Sequence, residues 1–293
     1  MTGMDTPGID AHHHVWDLGG RAHGWLDAEK LAPIRRTFTL DRLAEHAAAA
    51  GVSATVLVQV LPDLAETVEF LALAGESELV AGVVGWVDLT APAVAETLAG
   101  LPGGLVAIRH GVQAEPDPGW LTRPDVRRGL AAVASAGLAY DLLTLPHQLP
   151  AAIETVAALP ELTFVLDHLS KPPIASGRLE PWASRIRELA AYPNVYCKLS
   201  GMVTEADWAS WRVADLRPYA ETVLAAFGPE RVMFGSDWPV CLLAADYQRV
   251  VSVAEELCAG LSAGERADVF GGTARRAYRL GDRRHRAPAV PRC

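Results

Sequence analysis

Cysteine is scarce. The four in 293 residues, at positions 197, 241, 258 and 293, show neither C-x-x-C spacing nor the density of a disulfide scaffold. Reduced thiols and a cytoplasmic location are therefore the expectation. Positive charge is in deficit too, with 26 Lys and Arg against 35 Asp and Glu and a net charge of −9. That balance removes the basic face that nucleic acid or an anionic membrane would need. No apolar run approaches the roughly 20 residues that span a bilayer. No basic segment followed by an apolar stretch opens the sequence. A glycine-rich phosphate turn is also missing after the first apolar segment, which argues against an open dinucleotide-binding sheet. A small-molecule partner stays open, since net charge says nothing about the local charge of a pocket, and homo-oligomerisation stays open as well.

Half of the residues are hydrophobic, and the polar exceptions are placed unevenly. Near the start, Asp10-Ala11-His12-His13-His14 ends a short apolar segment beginning at Gly8. If that segment is a strand, its side chains alternate faces, so His12 and His14 point one way and His13 the other. Two imidazoles on one face can hold a metal or polarise one oxygen. The plainer readings are a surface cluster or a tag remnant. A tag would not sit between Ile9-Asp10 and Val15-Trp16-Asp17.

Downstream the chain alternates. Thr39 is placed to cap a helix whose stripe is Leu40, Leu43, Ala44 and Ala47, stopped by Gly51. A buried strand follows over 52–59. Pro62-Asp63-Leu64 opens the next helix, with Leu64, Val68 and Leu71 expected to face the core. Further strands are predicted at 80–87, 105–110, 138–143, 163–168, 195–199 and 232–236. Helices are predicted around 124–136, 148–159, 182–191, 216–227 and 247–258. Ser262-Ala263-Gly264-Glu265 reads as a capping box, and 273–280 as a last short helix. Eight βα units with continuously apolar strands point to a (β/α)8 TIM barrel over residues 1–281. The tail 282–293 is expected to be flexible. Helix-to-strand turns are short, whereas strand-to-helix loops are long at 16–38, 111–123, 170–181 and 201–215. Long loops on one end make a barrel's binding mouth.

The predicted strand ends carry the chemistry: His12 and His14, Gln59, Trp86 and Asp88, Arg109 and His110, Asp141, Asp167 and His168, Lys198 and Ser200, and Asp237. Burying so many ionisable groups merely to finish strands would be costly. Asp237 ends the eighth strand, which neighbours the first in a closed barrel, so it should face the histidine pair. His168 is either a third member of that group or a satisfied core histidine. Arg109 is either a substrate clamp or the partner of a nearby aspartate. Asp10 is placed to orient the pair from beneath. Trp86, Gln113, Asp141, His147 and Lys198 are candidates for substrate contact. Trp16, Trp25, Trp208 and Trp211 belong to the long loops, as pocket wall or lid packing. Cys241, close behind Asp237, lacks an activating base and reads as packing.

Taken together these stretches resemble the amidohydrolase superfamily. Asp10-x-His12-x-His14 and Gly235-Ser236-Asp237-Trp238-Pro239 carry the likeness. Ile108-Arg109-His110, Leu166-Asp167-His168-Leu169-Ser170-Lys171-Pro172, Cys197-Lys198-Leu199-Ser200-Gly201 and the stretch from Gly272 to Leu280 narrow it. They are similar to the amidohydrolase-2 branch of sugar-acid lactonases and pyrone dicarboxylate lactonase. The resemblance implies lactone hydrolysis, with Asp237 as general base for water and His12, His14 and His168 polarising the carbonyl. It also implies Arg109 gripping an oxygen of the substrate. The family's carboxylated strand-four lysine is absent, which disfavours a two-metal site. His12, His14, His168 and Asp237 could still ligate one Zn²⁺. The resembling lactonases work without metal and related decarboxylases use one, so the expectation is no required cofactor. A zinc-dependent amide hydrolase or decarboxylase is the rival. A serine nucleophile is disfavoured, since no Gly-x-Ser-x-Gly elbow surrounds Ser236.

Overall fold

The computed structural model describes residues 8–281, so the tail 282–293 lies outside the described residues. Runs such as Val80–Gly85 carry no polar side chain and need cover on both faces. The chain provides it by alternating strand and helix. The strands are β1 (Gly8–His13), β2 (Val52–Val58), β3 (Val80–Gly85), β4 (Leu105–His110), β5 (Ala139–Leu142), β6 (Phe164–Leu166), β7 (Val195–Leu199) and β8 (Val232–Phe234). The helices between and after them are α1 (Leu40–Ala49), α2 (Leu64–Glu76), α3 (Val94–Gly100), α4 (Pro124–Ser135), α5 (Leu149–Ala158), α6 (Trp182–Ala190), α7 (Met202–Glu205), α8 (Val213–Phe227), α9 (Tyr247–Leu257), α10 (Ala263–Ala267) and α11 (Thr273–Tyr278).

All eight strands are parallel and lie in the order β1 to β8. The ring is joined between the end of β1 and the chain just after β8. Asp237 N donates to His12 O at 2.8 Å, and His14 N to Trp238 O at 2.7 Å. This is the expected (β/α)8 barrel. The strand–helix interface forms one large apolar cluster that includes Leu57, Ile108, Leu142, Leu166 and Phe234. A smaller cluster holds Val58, Val84, Ala107, Val165 and Met233 together with Ala274, Ala277 and Tyr278 of α11. The last helix therefore belongs to the barrel's own filling. Each such fully buried aliphatic side chain contributes about 1.5–3 kcal/mol.

Several local expectations change. Thr39 precedes α1 in an extended conformation, but its side chain makes no capping bond. α2 is rotated from the predicted face: Leu64 and Val68 are 37% and 45% exposed, while Glu66, Thr67, Phe70 and Leu71 are buried. The rotation is set by Glu66, whose carboxylate accepts the amides of Val60 at 2.7 Å and Leu61 at 2.9 Å. A carboxylate satisfying two loop amides, together with the burial of Phe70, outweighs the exposure of Leu64 and Val68. The predicted strand over 163–168 stops at Leu166, because the chain turns left-handed there. α3, a short helix, was not anticipated. The capping box at Ser262 forms, with Ser262 N donating to Glu265 Oε2 at 2.8 Å. Among the described residues no helix is long and apolar enough to cross a membrane.

Candidate active site

Strand parity places the first pair. Asp10 anchors the end of β1 by accepting the amides of His12 (3.1 Å) and Ser236 (2.8 Å) on Oδ1 and the Tyr247 hydroxyl (3.1 Å) on Oδ2. Burial raises its pKa to about 6 against the pull of those donors. His13 turns outward to Thr55 Oγ1 at 2.9 Å. His12 and His14 turn inward, with their Nε2 atoms 3.1 Å apart. His14 Nδ1 donates to the carbonyl of Val58 at 2.8 Å, which fixes its ring.

Asp237 faces this pair from the end of β8. Its Oδ1 lies 3.8 Å from His12 Nε2, 3.6 Å from His14 Nε2 and 3.8 Å from His168 Nε2. It adopts a left-handed backbone, φ 56°, which carboxylate and carboxamide residues tolerate better than most. Burial works to raise its pKa, yet the electrostatic influence of the neighbouring His168 and His14 prevails and lowers it.

His168 arrives by an unusual route. It begins four successive left-handed residues, His168 to Lys171, with φ of 51°, 55°, 57° and 51°. Each non-glycine residue in that region costs on the order of 1–2 kcal/mol, so neighbours must hold the turn. Trp182 Nε1 donates to Leu169 O at 2.7 Å, and Ser170 Oγ meets Thr144 Oγ1 at 2.8 Å. The imidazole is fixed by Ser200 Oγ, 2.8 Å from its Nδ1. Burial, opposed by Asp237 and Asp167, lowers its pKa to about 4. Gly201, φ 64°, passes directly beneath: a Cβ there would lie 2.7 Å from His168 Nδ1. Gly201→Ala should therefore displace the ring and lower kcat roughly tenfold to a hundredfold without unfolding the barrel. Unchanged kcat in a folded Gly201→Ala protein would show that the position of His168 is not critical.

A layer of charge lies under the histidines. Lys198 Nζ is 2.6 Å from Asp141 Oδ2, 2.9 Å from Asp167 Oδ1 and 3.0 Å from His12 Nδ1. The contact with Asp167 is an ion pair without hydrogen-bond alignment. Asp167 Oδ2 receives Arg109 Nη1 at 3.0 Å. Tyr278 of α11 donates to Asp141 at 2.9 Å. Burial works to raise Asp167, but the charges of Lys198, His12 and Arg109 hold it well below the usual carboxylate range. Burial raises Asp141 despite Lys198. Burial, then the charge of Lys198, keeps the His12 pKa far below its ordinary value.

Of the residues expected to touch substrate, Asp141 and Lys198 are fully buried in this layer. Arg109 is 4% exposed and engaged with Asp167 and the Gln59 carbonyl. Trp86 is half-buried, its indole donating to His110 Nδ1 at 3.2 Å, while His110 Nε2 meets Glu115 at 2.7 Å. Gln113 is half-buried and His147 exposed. The loop tryptophans mostly serve their own loops: Trp16, Trp208 and Trp211 donate to the carbonyls of Arg36, Thr204 and Ala244. Trp25 is 38% exposed. Cys241 is buried and its thiol is pushed well above its ordinary pKa by that burial.

The amidohydrolase family model matches residues 9–280. The chain belongs to the amidohydrolase family. It is 40% identical over 284 residues to an L-fucono-1,5-lactonase of Burkholderia multivorans, covering 93% of this chain and 96% of that one. A crystal structure of an amidohydrolase from Burkholderia multivorans with bound zinc superposes with a TM-score of 0.89. It is 41% identical, covering 94% of this chain and all of that one. A 2-pyrone-4,6-dicarboxylic acid hydrolase structure from Pseudomonas putida shares the fold, with a TM-score of 0.71 at 22% identity.

In this amidohydrolase a single zinc ion is possible. His12, His168 and Asp237 each offer one ligand atom, and these atoms lie within 4.8 Å of one another. Nitrogen and carboxylate donors suit zinc. The sequence did not expose Tyr278 or Tyr247 as supports, and it offered Ser200 as a polar strand end without its role beside His168. Only the position of Tyr278 in the closing helix hinted that it belonged to the barrel's interior.

Proposed function

We propose that this amidohydrolase hydrolyses the ester bond of a sugar-acid lactone, with Asp237 as general base. The observation that carries the reading is convergence: three imidazole Nε2 atoms surround one carboxylate oxygen at the end of the barrel. A water held at Asp237 Oδ1 would lose its proton to the carboxylate as it attacks the lactone carbonyl. The lowered pKa keeps that carboxylate ionised. The Nε2–H groups of His12 and His168 would polarise the carbonyl and meet the developing oxyanion, while His14, its proton committed to Val58 O, holds His12 in place. Arg109, one layer away, adds positive charge, and its partnership with Asp167 makes it a support of the site as much as a clamp. Trp86, Gln113 and His147 are the side chains left to contact the substrate's far end. Asp141 and Lys198 act from below. Bound zinc, held by His12, His168 and Asp237 with His14 beside them, would supply Lewis-acid polarisation. The proposed reaction does not require it. The buried free thiols of Cys197, Cys241 and Cys258 fit the reduced cytoplasm as its location.

The relative named as an L-fucono-1,5-lactonase supports this substrate class. The rival, a zinc-dependent amide hydrolase or decarboxylase acting on a small carboxylic acid, draws on the His/Asp cluster and the zinc-bearing relative. A panel of 1,5- and 1,4-aldonolactones, aromatic lactones and aromatic carboxylic acids, followed by acid release and by carbon dioxide release, separates the two. Acid release from aldonolactones is the expected result. Carbon dioxide release, or turnover of aromatic substrates alone, would overturn it.

A further inference from the structure

His12 stands between two opposing demands. To bind zinc through Nε2, the nitrogen that faces Asp237, His12 must present a lone pair there and so carry its proton on Nδ1. Yet Nδ1 lies 3.0 Å from Lys198 Nζ, and an ammonium has three donors and no acceptor. Lys198 is held between Asp141 at 2.6 Å and Asp167 at 2.9 Å, where an ammonium is the form that pairs with two carboxylates.

The hydrogens can be placed from the other end of the chain of contacts. A carbonyl only accepts, so His14 Nδ1 carries a proton toward Val58 O, leaving the His14 Nε2 of a neutral ring as an acceptor. His12 Nε2 is 3.1 Å from that acceptor. One directed arrangement satisfies the three shorter contacts and leaves only that with Arg109 unmade: Lys198 donates to His12 Nδ1, His12 Nε2–H donates to His14 Nε2, and His14 Nδ1–H donates to Val58 O. Arg109 Nη1, at 3.3 Å from His12 Nε2, is the competing donor. Accepting it would set a proton on Nδ1 against the ammonium and point two lone pairs at each other across 3.1 Å. Two facing lone pairs are what a metal ion needs. Such a form would also need an acceptor for the His12 Nδ1 proton, and Asp167 Oδ1 stands 3.4 Å away.

We propose that Lys198 is a positioning residue that excludes metal: its donation to His12 Nδ1 keeps the His12 proton on Nε2, making that nitrogen a hydrogen-bond donor instead of a zinc ligand. The inference concerns the proton on His12 and holds whether or not the substrate is a lactone. Outer-shell partners of ligating histidines change metal affinity about 10–100-fold, so the effect is measurable without activity.

The test is zinc titration by calorimetry on chelator-treated protein, with folding checked by circular dichroism. Lys198→Met combined with Asp141→Asn removes the donor and keeps the buried layer neutral. This double variant should bind zinc at least about tenfold more tightly than the wild type. Adding His12→Asn to it should abolish the gain, and Lys198→Arg, which restores a cationic donor, should bind zinc as weakly as the wild type. Equal affinity in wild type and double variant, or a gain that survives loss of His12, would overturn the proposal. Should the variants fail to fold, ¹⁵N spectra of histidine-labelled wild-type protein still decide it. A His12 ring protonated on Nε2 is expected; a neutral ring protonated on Nδ1 would contradict the assignment.

Discussion

Asp237→Asn is expected to lower kcat on the lactone substrate at least about a hundredfold while the thermal midpoint stays close to wild type. Removing a general base costs typically 10²–10⁴ in rate. The carboxamide has the same shape, and it tolerates the left-handed backbone at this position. The three imidazole nitrogens lie 3.6–3.8 Å from Oδ1, too far for strong hydrogen bonds, so little stability is lost with the charge. The backbone bond from Asp237 N to His12 O that joins β1 to the chain after β8 is untouched. A variant retaining more than about a tenth of wild-type kcat would remove Asp237 from the proton transfer.

Lys198→Met is expected to have the largest effect on stability. Lys198, Asp141 and Asp167 are all fully buried. Lys198 and Arg109 balance the two carboxylates, and deleting the lysine leaves one carboxylate without its cation. Breaking a buried pair from one side costs about 3–5 kcal/mol. For a chain of this size that corresponds to a fall in Tm of roughly 10 °C. Asp141→Asn added to Lys198→Met should recover much of the loss, because Asp167 still has Arg109 at 3.0 Å. Denaturant unfolding of the single and double variants measures both. A single-variant loss below about 1 kcal/mol, the scale of an exposed pair, would mean that water reaches this layer.

The sequence shows the barrel and half of the site, and the division follows range. Alternation along β1 suffices to put His12 and His14 on one side and His13 on the other. The neighbouring of first and last strands brings Asp237 opposite them. These are local rules or consequences of closure. His168 was legible as a candidate but not in its setting, since nothing in Asp167-His168-Leu169-Ser170 marks four left-handed residues. That turn is imposed by Trp182, Thr144 and the space left by Gly201. Depth was also hidden. Asp141 and Lys198 end strands as Trp86 does, yet they lie sealed beneath the histidines while Trp86 reaches the rim. The Tyr278–Asp141 bond joins residues 137 apart in the chain, beyond any periodicity. The rotation of α2 follows from a carboxylate choosing two amides, which a hydrophobic stripe cannot reveal.

The central claim is hydrolysis of a lactone by Asp237 and the histidines without a required metal. Its most direct test is lactone turnover by protein purified through a strong chelator, with metal content counted by mass spectrometry, before and after stepwise addition of zinc. The account predicts full activity in the metal-free protein and no rise in kcat as zinc is bound. Activity that disappears with the metal and returns in proportion to zinc bound would contradict it and make the enzyme a zinc hydrolase.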